Sequence, residues 1–143
     1  MSTFFELEPI PNLAPVIVPP RKKAVVIDDD DAQLEVLTYR LEQLGYSVEA
    51  FQSGRNAFEN VKRISPDVVL LDVEMPGASG LDICNQLSDS PETAEIPVII
   101  LSGTSRKDIV REARAVGSRF FVHKPYDPNT LKLIVESVAK DSE

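Results

Sequence analysis

The 143 residues carry 23 acidic against 15 basic side chains, a formal charge of -8, and 43% of them are hydrophobic. That balance excludes broad electrostatic attraction to nucleic acid or to an anionic membrane surface, while leaving enough apolar material for one ordinary domain to fold without staples. One cysteine, Cys84, and one histidine, His123, exclude an internal disulfide framework and the usual zinc constellations, which fits a reducing cytoplasm.

Residues 1–23 read as an extension. Pro9, Pro11, Pro15, Pro19 and Pro20 interrupt an apolar, aperiodic stretch ending in Arg21, Lys22 and Lys23, which disfavours helix and favours a flexible tail over a docking arm. No apolar run approaches the roughly 20 residues of a membrane span, and no signal-peptide pattern opens the chain. From residue 24 short β-branched runs alternate with helical patterns. The run 24–28 predicts a buried strand, followed by Leu34, Leu37, Leu41 and Leu44 at helical spacing up to Gly45. Residues 46–51 predict a second strand, Ala57, Val61 and Ile64 a helix face, and 67–72 (DVVLLD) a third strand. Leu81, Cys84 and Leu87 share one helix side, 96–101 is strand four, and Ile109, Ala113 and Val116 mark the next helix. Strand five is 119–122, and a last helix buries Leu131, Ile134, Val135 and Val138. Strands this apolar imply a doubly wound α/β fold, a parallel sheet with helices on both faces. Ligands of such sheets bind beyond the carboxyl ends of the strands.

At those ends stand Asp28 and Asp29 after strand one, Asp72 after strand three, Ser102 after strand four and Lys124 after strand five. Surface ion pairs are worth about 0 to 1 kcal/mol, too little to explain such a gathering. Chemistry explains it better: carboxylate oxygens and waters suit Mg²⁺, and a metal beside a carboxylate nucleophile, a lysine and a hydroxyl makes a phosphoryl-binding pocket. The run DDDD at 28–31 sharpens the point, because two carboxylates about 4 Å apart repel by roughly 4 kcal/mol at an effective dielectric near 20.

The segments VVIDD at 25–29, LLDVEMPGASGLDIC at 70–84, IPVIILSG at 96–103 and FFVHKPYD at 120–127 are, in this order and spacing, similar to a response-regulator receiver domain of two-component signalling. The resemblance is to the stand-alone, chemotaxis-regulator type and runs from about residue 23 to 140. It implies a flavodoxin-like five-stranded parallel sheet of order 2-1-3-4-5, a receiver domain over 24–140 and a short tail at 141–143. It also implies that Asp72 is the phosphoacceptor. Mg²⁺, for which Mn²⁺ can substitute, would be held by Asp28, Asp29, Asp72 and the backbone carbonyl of Glu74, with Asp28 acting chiefly through metal-bound water. Lys124, followed by a proline that is cis in relatives, would pair with a phosphoryl oxygen. Ser102 would donate to another, and Phe121 would turn inward on phosphorylation. Where many relatives have tyrosine, Phe121 has no ring hydroxyl, so packing alone would select its inward state. Ser102 stands where many have threonine and keeps the hydroxyl. Met75, Pro76, Gly77 and Gly80 fit the family loop after strand three, and Glu74 lies near the path of hydrolytic water, so its side chain is expected to influence phosphoryl lifetime.

Asp30 and Asp31 need no chemical role, since helix N-caps and first-turn acids gain roughly 0.3 to 1 kcal/mol each. Cys84 reads as core filling and His123 as a partly exposed strand-end residue. The expected function is a phosphorylation-dependent switch, not an enzyme acting on other substrates. Its partners would be a sensor histidine kinase or histidine phosphotransfer protein and a downstream protein target, met through the face formed by helix four, strand five and helix five, about 105–140. Direct nucleic-acid binding and membrane insertion are not expected, and GSRFFVHKPY lacks an acidic pair after its glycine, which favours a monomer or weak dimer. Two alternatives stand beside this. A haloacid-dehalogenase-like phosphohydrolase would use Asp28 and Asp30 as a D-x-D pair, but Ala32 stands where Thr or Val is expected. A receiver fold kept only as a binding scaffold would no longer be phosphorylated, a reading that an absence of Mg²⁺ affinity would favour.

Overall fold

In the computed structural model, which describes residues 21–75, 79–103 and 108–141, odd and even positions of the strands feed two separate cores. Five parallel strands, β1 (Lys22–Ile27), β2 (Tyr46–Phe51), β3 (Val68–Asp72), β4 (Val98–Ser102) and β5 (Phe120–His123), lie in the order β2-β1-β3-β4-β5. Five helices alternate with them: α1 (Asp31–Gln43), α2 (Ala57–Ile64), α3 (Gly80–Asp89), α4 (Ile109–Ala115) and α5 (Pro128–Asp141). Ala24, Val26, Val68, Leu70, Ile99 and Leu101 pack against Leu34, Leu37 and Leu41 of α1 and Leu131, Val135 and Val138 of α5. Their strand neighbours Val25, Ile27, Val69, Leu71, Val98 and Ile100 pack against Ala57, Val61 and Ile64 of α2, Ile83, Cys84 and Leu87 of α3, and Ala113 of α4. Successive strand side chains point to opposite faces, so a continuously apolar run is what a sheet covered on both sides requires.

The element order agrees with the expectation, and the differences are at the ends. β1 begins at Lys22, inside the stretch read as extension, because Lys22 and Lys23 pair with Tyr46 and Ser47 of β2 and the Lys23 amide donates to Asp67 at 2.7 Å. β4 starts at Val98, after Pro97, which has no amide proton for a ladder, and it ends on Ser102. β5 runs one residue later than expected and includes His123, which is exposed. Expectations for residues 1–20, for Pro76 and Gly77, for 105–107 of the expected partner face, and for 142–143 fall outside the described residues.

Cys84 is fully buried, its thiol pushed up to about 11 by burial against a smaller downward pull from Ser88. That protonated thiol approaches the Val116 carbonyl at 3.5 Å, which suits a packing residue. Among the described residues, no helix is long and apolar enough to cross a membrane.

Candidate phosphoacceptor and metal site

Parallel pairing brings the strand ends together. Ile27 faces Leu71 across β1 and β3, Asp72 faces Leu101 across β3 and β4, and Ser102 faces His123 across β4 and β5. The register therefore delivers Asp28, Asp72, Ser102 and Lys124 to one edge. Backbone bonds pin the exits: the Asp28 amide donates to the Phe51 carbonyl at 3.1 Å, the Val73 amide to Leu101 at 3.0 Å, and the Lys124 amide to Ser102 at 2.6 Å.

Carboxylate oxygens of Asp28, Asp29 and Asp72 all lie within 4.8 Å of one another. Asp28 is 0% exposed, Asp72 3% and Ser102 0%, while Asp29 faces solvent. Lys124 reaches into the gap, its Nζ 3.2 Å from Asp28 Oδ2 and 3.4 Å from Asp72 Oδ1. Asp28 Oδ1 accepts the Asp30 amide at 3.0 Å, and Asp72 Oδ1 accepts the Glu74 amide at 3.3 Å. Burial raises the Asp72 carboxyl to about 6; Lys124 opposes that rise, Asp28 adds to it, and the Glu74 amide opposes it. Burial alone would lower the Lys124 ammonium, but Asp72 and then Asp28 outweigh it and the net direction is upward. One cation thus faces three acids, a surplus of negative charge that a divalent metal suits, and the all-oxygen donor set fits Mg²⁺.

The rest of the acidic run is otherwise employed. Asp30 caps α1, its Oδ1 accepting the amides of Ala32 at 2.9 Å and Gln33 at 3.4 Å, and Asp31 accepts a hydrogen bond from Gln52. The cap accounts for Asp30 without a role as the second acid of a D-x-D phosphohydrolase pair. Phe121, half-buried, leans on the core beneath α2, α3 and α4. The Lys124–Pro125 peptide bond is cis.

Gly80, expected in the loop after strand three, is the first residue of α3, and its place is fixed by close approach. A Cβ there would stand 2.3 Å from the Asp72 carbonyl oxygen and 2.8 Å from Val73 Cα. Only a bare backbone lets α3 start this near the end of β3. Gly80→Ala is expected to cost about 1–3 kcal/mol of stability through overpacking, read from a urea unfolding curve. An unchanged midpoint would show that this junction yields freely.

What the sequence concealed is the pair of partners that the Glu74 side chain holds. Expected to bear on phosphoryl lifetime, this carboxylate accepts the Ser102 hydroxyl on Oε1 at 2.8 Å and the Gly103 amide on Oε2 at 3.0 Å. Those partners lie 28 and 29 residues away, beyond what local pattern can reveal.

Residues 24–136 match the family model described as "Response regulator receiver domain". The chain belongs to that family. Among curated relatives, this receiver is 33% identical to protein PilH of Pseudomonas aeruginosa, over 71% of its own length and 84% of that protein's. It is 30% identical to the phosphate regulon transcriptional regulatory protein PhoB of Rhizobium meliloti, over 73% of its own length but only 46% of PhoB. A crystal structure of the signal receiver domain of a histidine kinase from Syntrophus aciditrophicus superposes with a TM-score of 0.78 at 29% identity, over 84% of this chain and 91% of that one. Membership places the receiver in phosphorylation-dependent two-component signalling.

Proposed function

We propose that the receiver is switched by phosphorylation of Asp72, taken from a phosphohistidine of a sensor kinase or histidine phosphotransfer protein. The observation that carries the reading is the placement of Asp72: buried at the end of β3, 3.4 Å from the Lys124 ammonium, with the carboxylates of Asp28 and Asp29 within 4.8 Å. Asp28, Asp29 and Asp72, with the Glu74 backbone carbonyl, would hold Mg²⁺. When bound, the metal neutralises charge on the transferring phosphoryl group.

The residues do the positioning. An Asp72 carboxylate oxygen forms the new bond to phosphorus as the bond to the imidazole nitrogen breaks, and the histidine leaves with that electron pair. Lys124, anchored by the short amide contact to Ser102 and held against both acids, supplies a cation for a phosphoryl oxygen. Ser102 supplies a hydroxyl proton for another. The conformational readout runs to the α4, β5 and α5 face, where Phe121 lines a cleft of about 290 Å³ together with Val110, Ala113, Arg114, Ser118 and Arg119. That face would meet the downstream protein as a population shift between two arrangements, the phosphoryl group favouring one. The receiver domain, which starts with β1 at Lys22, would act in the cytoplasm as a monomer or weak dimer and catalyse only its own phosphorylation and dephosphorylation.

Incubation with acetyl phosphate tests this by intact mass. One phosphoryl group should be gained with Mg²⁺ and none with a chelator, and Asp72→Asn should lower the rate at least about a hundredfold. A folded wild-type protein that gains nothing would overturn the reading.

A further inference from the structure

Glu74 is exposed, yet both of its carboxylate oxygens are engaged, Oε1 by the Ser102 hydroxyl at 2.8 Å and Oε2 by the Gly103 amide at 3.0 Å. Its own amide donates to Asp72 Oδ1 at 3.3 Å, so the residue straddles the phosphoacceptor and the β4 exit. An anion is therefore already bound at the mouth of the pocket by a hydroxyl and an amide, donors that an oxyanion carried on Asp72 would also call on. Ser102 has one hydroxyl proton and Gly103 one amide proton. Neither can serve two acceptors at full strength.

We propose that the Glu74 carboxylate is an internal stand-in for the phosphoryl group: it holds Ser102 and Gly103 in the unphosphorylated protein and must release Ser102 before the phosphorylated arrangement forms. This rests on Asp72 being the phosphoacceptor. Bonds from a hydroxyl and an amide to an ionised carboxylate are charge-assisted, stronger than neutral ones, so their loss opposes the switch. Glu74 sets the threshold at which phosphorylation pulls the β4 exit over, in addition to any effect on hydrolysis. The negative charge it brings would also repel an anionic donor, and that general repulsion must be separated from competition for the Ser102 proton.

The separation comes from beryllofluoride, which binds aspartate carboxylates as a phosphoryl mimic, titrated with Mg²⁺ present and followed by amide NMR. Glu74→Ala is expected to bind it about five- to tenfold more tightly than wild type. Glu74→Gln, which keeps an acceptor without the charge, should fall between. In a Ser102→Ala background the same Glu74→Ala change should gain less than about twofold, because the contested proton is gone. In metal-free protein without beryllofluoride, the Gly103 amide proton should move upfield on Glu74→Ala as its charged acceptor is removed. An equal gain in both backgrounds reduces Glu74 to general repulsion and overturns the competition alone, as does an unmoved Gly103 resonance. If neither wild type nor Glu74→Ala forms an adduct, the competition and the phosphoacceptor reading fall together.

Discussion

Asp72→Asn is expected to be more stable than the wild-type protein at pH 7 without metal, by about 1–2 kcal/mol. The cause is the crowding at the strand ends: Asp72 is buried beside Asp28, and burial first, then Asp28, hold its carboxyl near 6 despite Lys124 and the Glu74 amide. An unfolded chain returns the group to its ordinary value of 3.8, so the native state grips this proton more tightly than the unfolded state does. Stability from that proton is fully present below about pH 4 and is lost as pH rises through about 6, which leaves a penalty at neutrality. The open side toward solvent reduces the figure below what the full shift would give. Asparagine keeps the volume and removes the charge, while Lys124 retains Asp28 at 3.2 Å. Urea unfolding at a series of pH values in chelator is the check. The advantage of the variant should be present at pH 7 and shrink between pH 6 and pH 4. Added Mg²⁺ should stabilise the wild type more than the variant, because only the wild type offers the full set of carboxylates to a ligand that binds the native state. A wild type more stable than Asp72→Asn at pH 7 in chelator would mean that Lys124 already compensates the cluster.

Lys124→Met should have the opposite sign and a larger size, a loss of about 2–3 kcal/mol at pH 7 in chelator. Removing the ammonium leaves Asp28 and Asp72, both almost wholly buried, without the cation that now lies 3.2 Å from one and 3.4 Å from the other. Breaking a buried ion pair from one side strands the remaining charge, which is why the cost exceeds that of an exposed pair. Methionine preserves most of the apolar stem, so the loss reports charge more than packing. The penalty should fall at pH 5, where Asp72 takes up its proton, and fall again with Mg²⁺. A penalty that ignores both would point to packing of the stem instead.

Strand and helix identities were legible because the doubly covered sheet demands apolar runs and each helix one apolar stripe. Leu34, Leu37 and Leu41, or Ala57, Val61 and Ile64, are buried where periodicity places them. Ends were less so. Lys22 is charged and gives no apolar signal, but β2 offers Tyr46 as a ladder partner and extends β1 back to it. Ile83 did not stand out beside Cys84 and Leu87, yet it is buried too, because α3 lies against both the sheet and α2. At the site, residues following successive strands were found together since parallel register aligns strand ends. The partners of Glu74 were not legible for the complementary reason: Ser102 and Gly103 sit on another strand's exit, and a side chain's reach across a gap leaves no mark on spacing.

The central claim is that Asp72, and no other acid of the cluster, takes the phosphoryl group. Phosphorylate the wild type with acetyl phosphate and Mg²⁺, reduce the acyl phosphate with borohydride, and sequence the peptides by mass spectrometry. Homoserine at position 72 alone is the predicted result. Reduction at Asp28 or Asp29, or a phosphoryl adduct that resists borohydride, would contradict it.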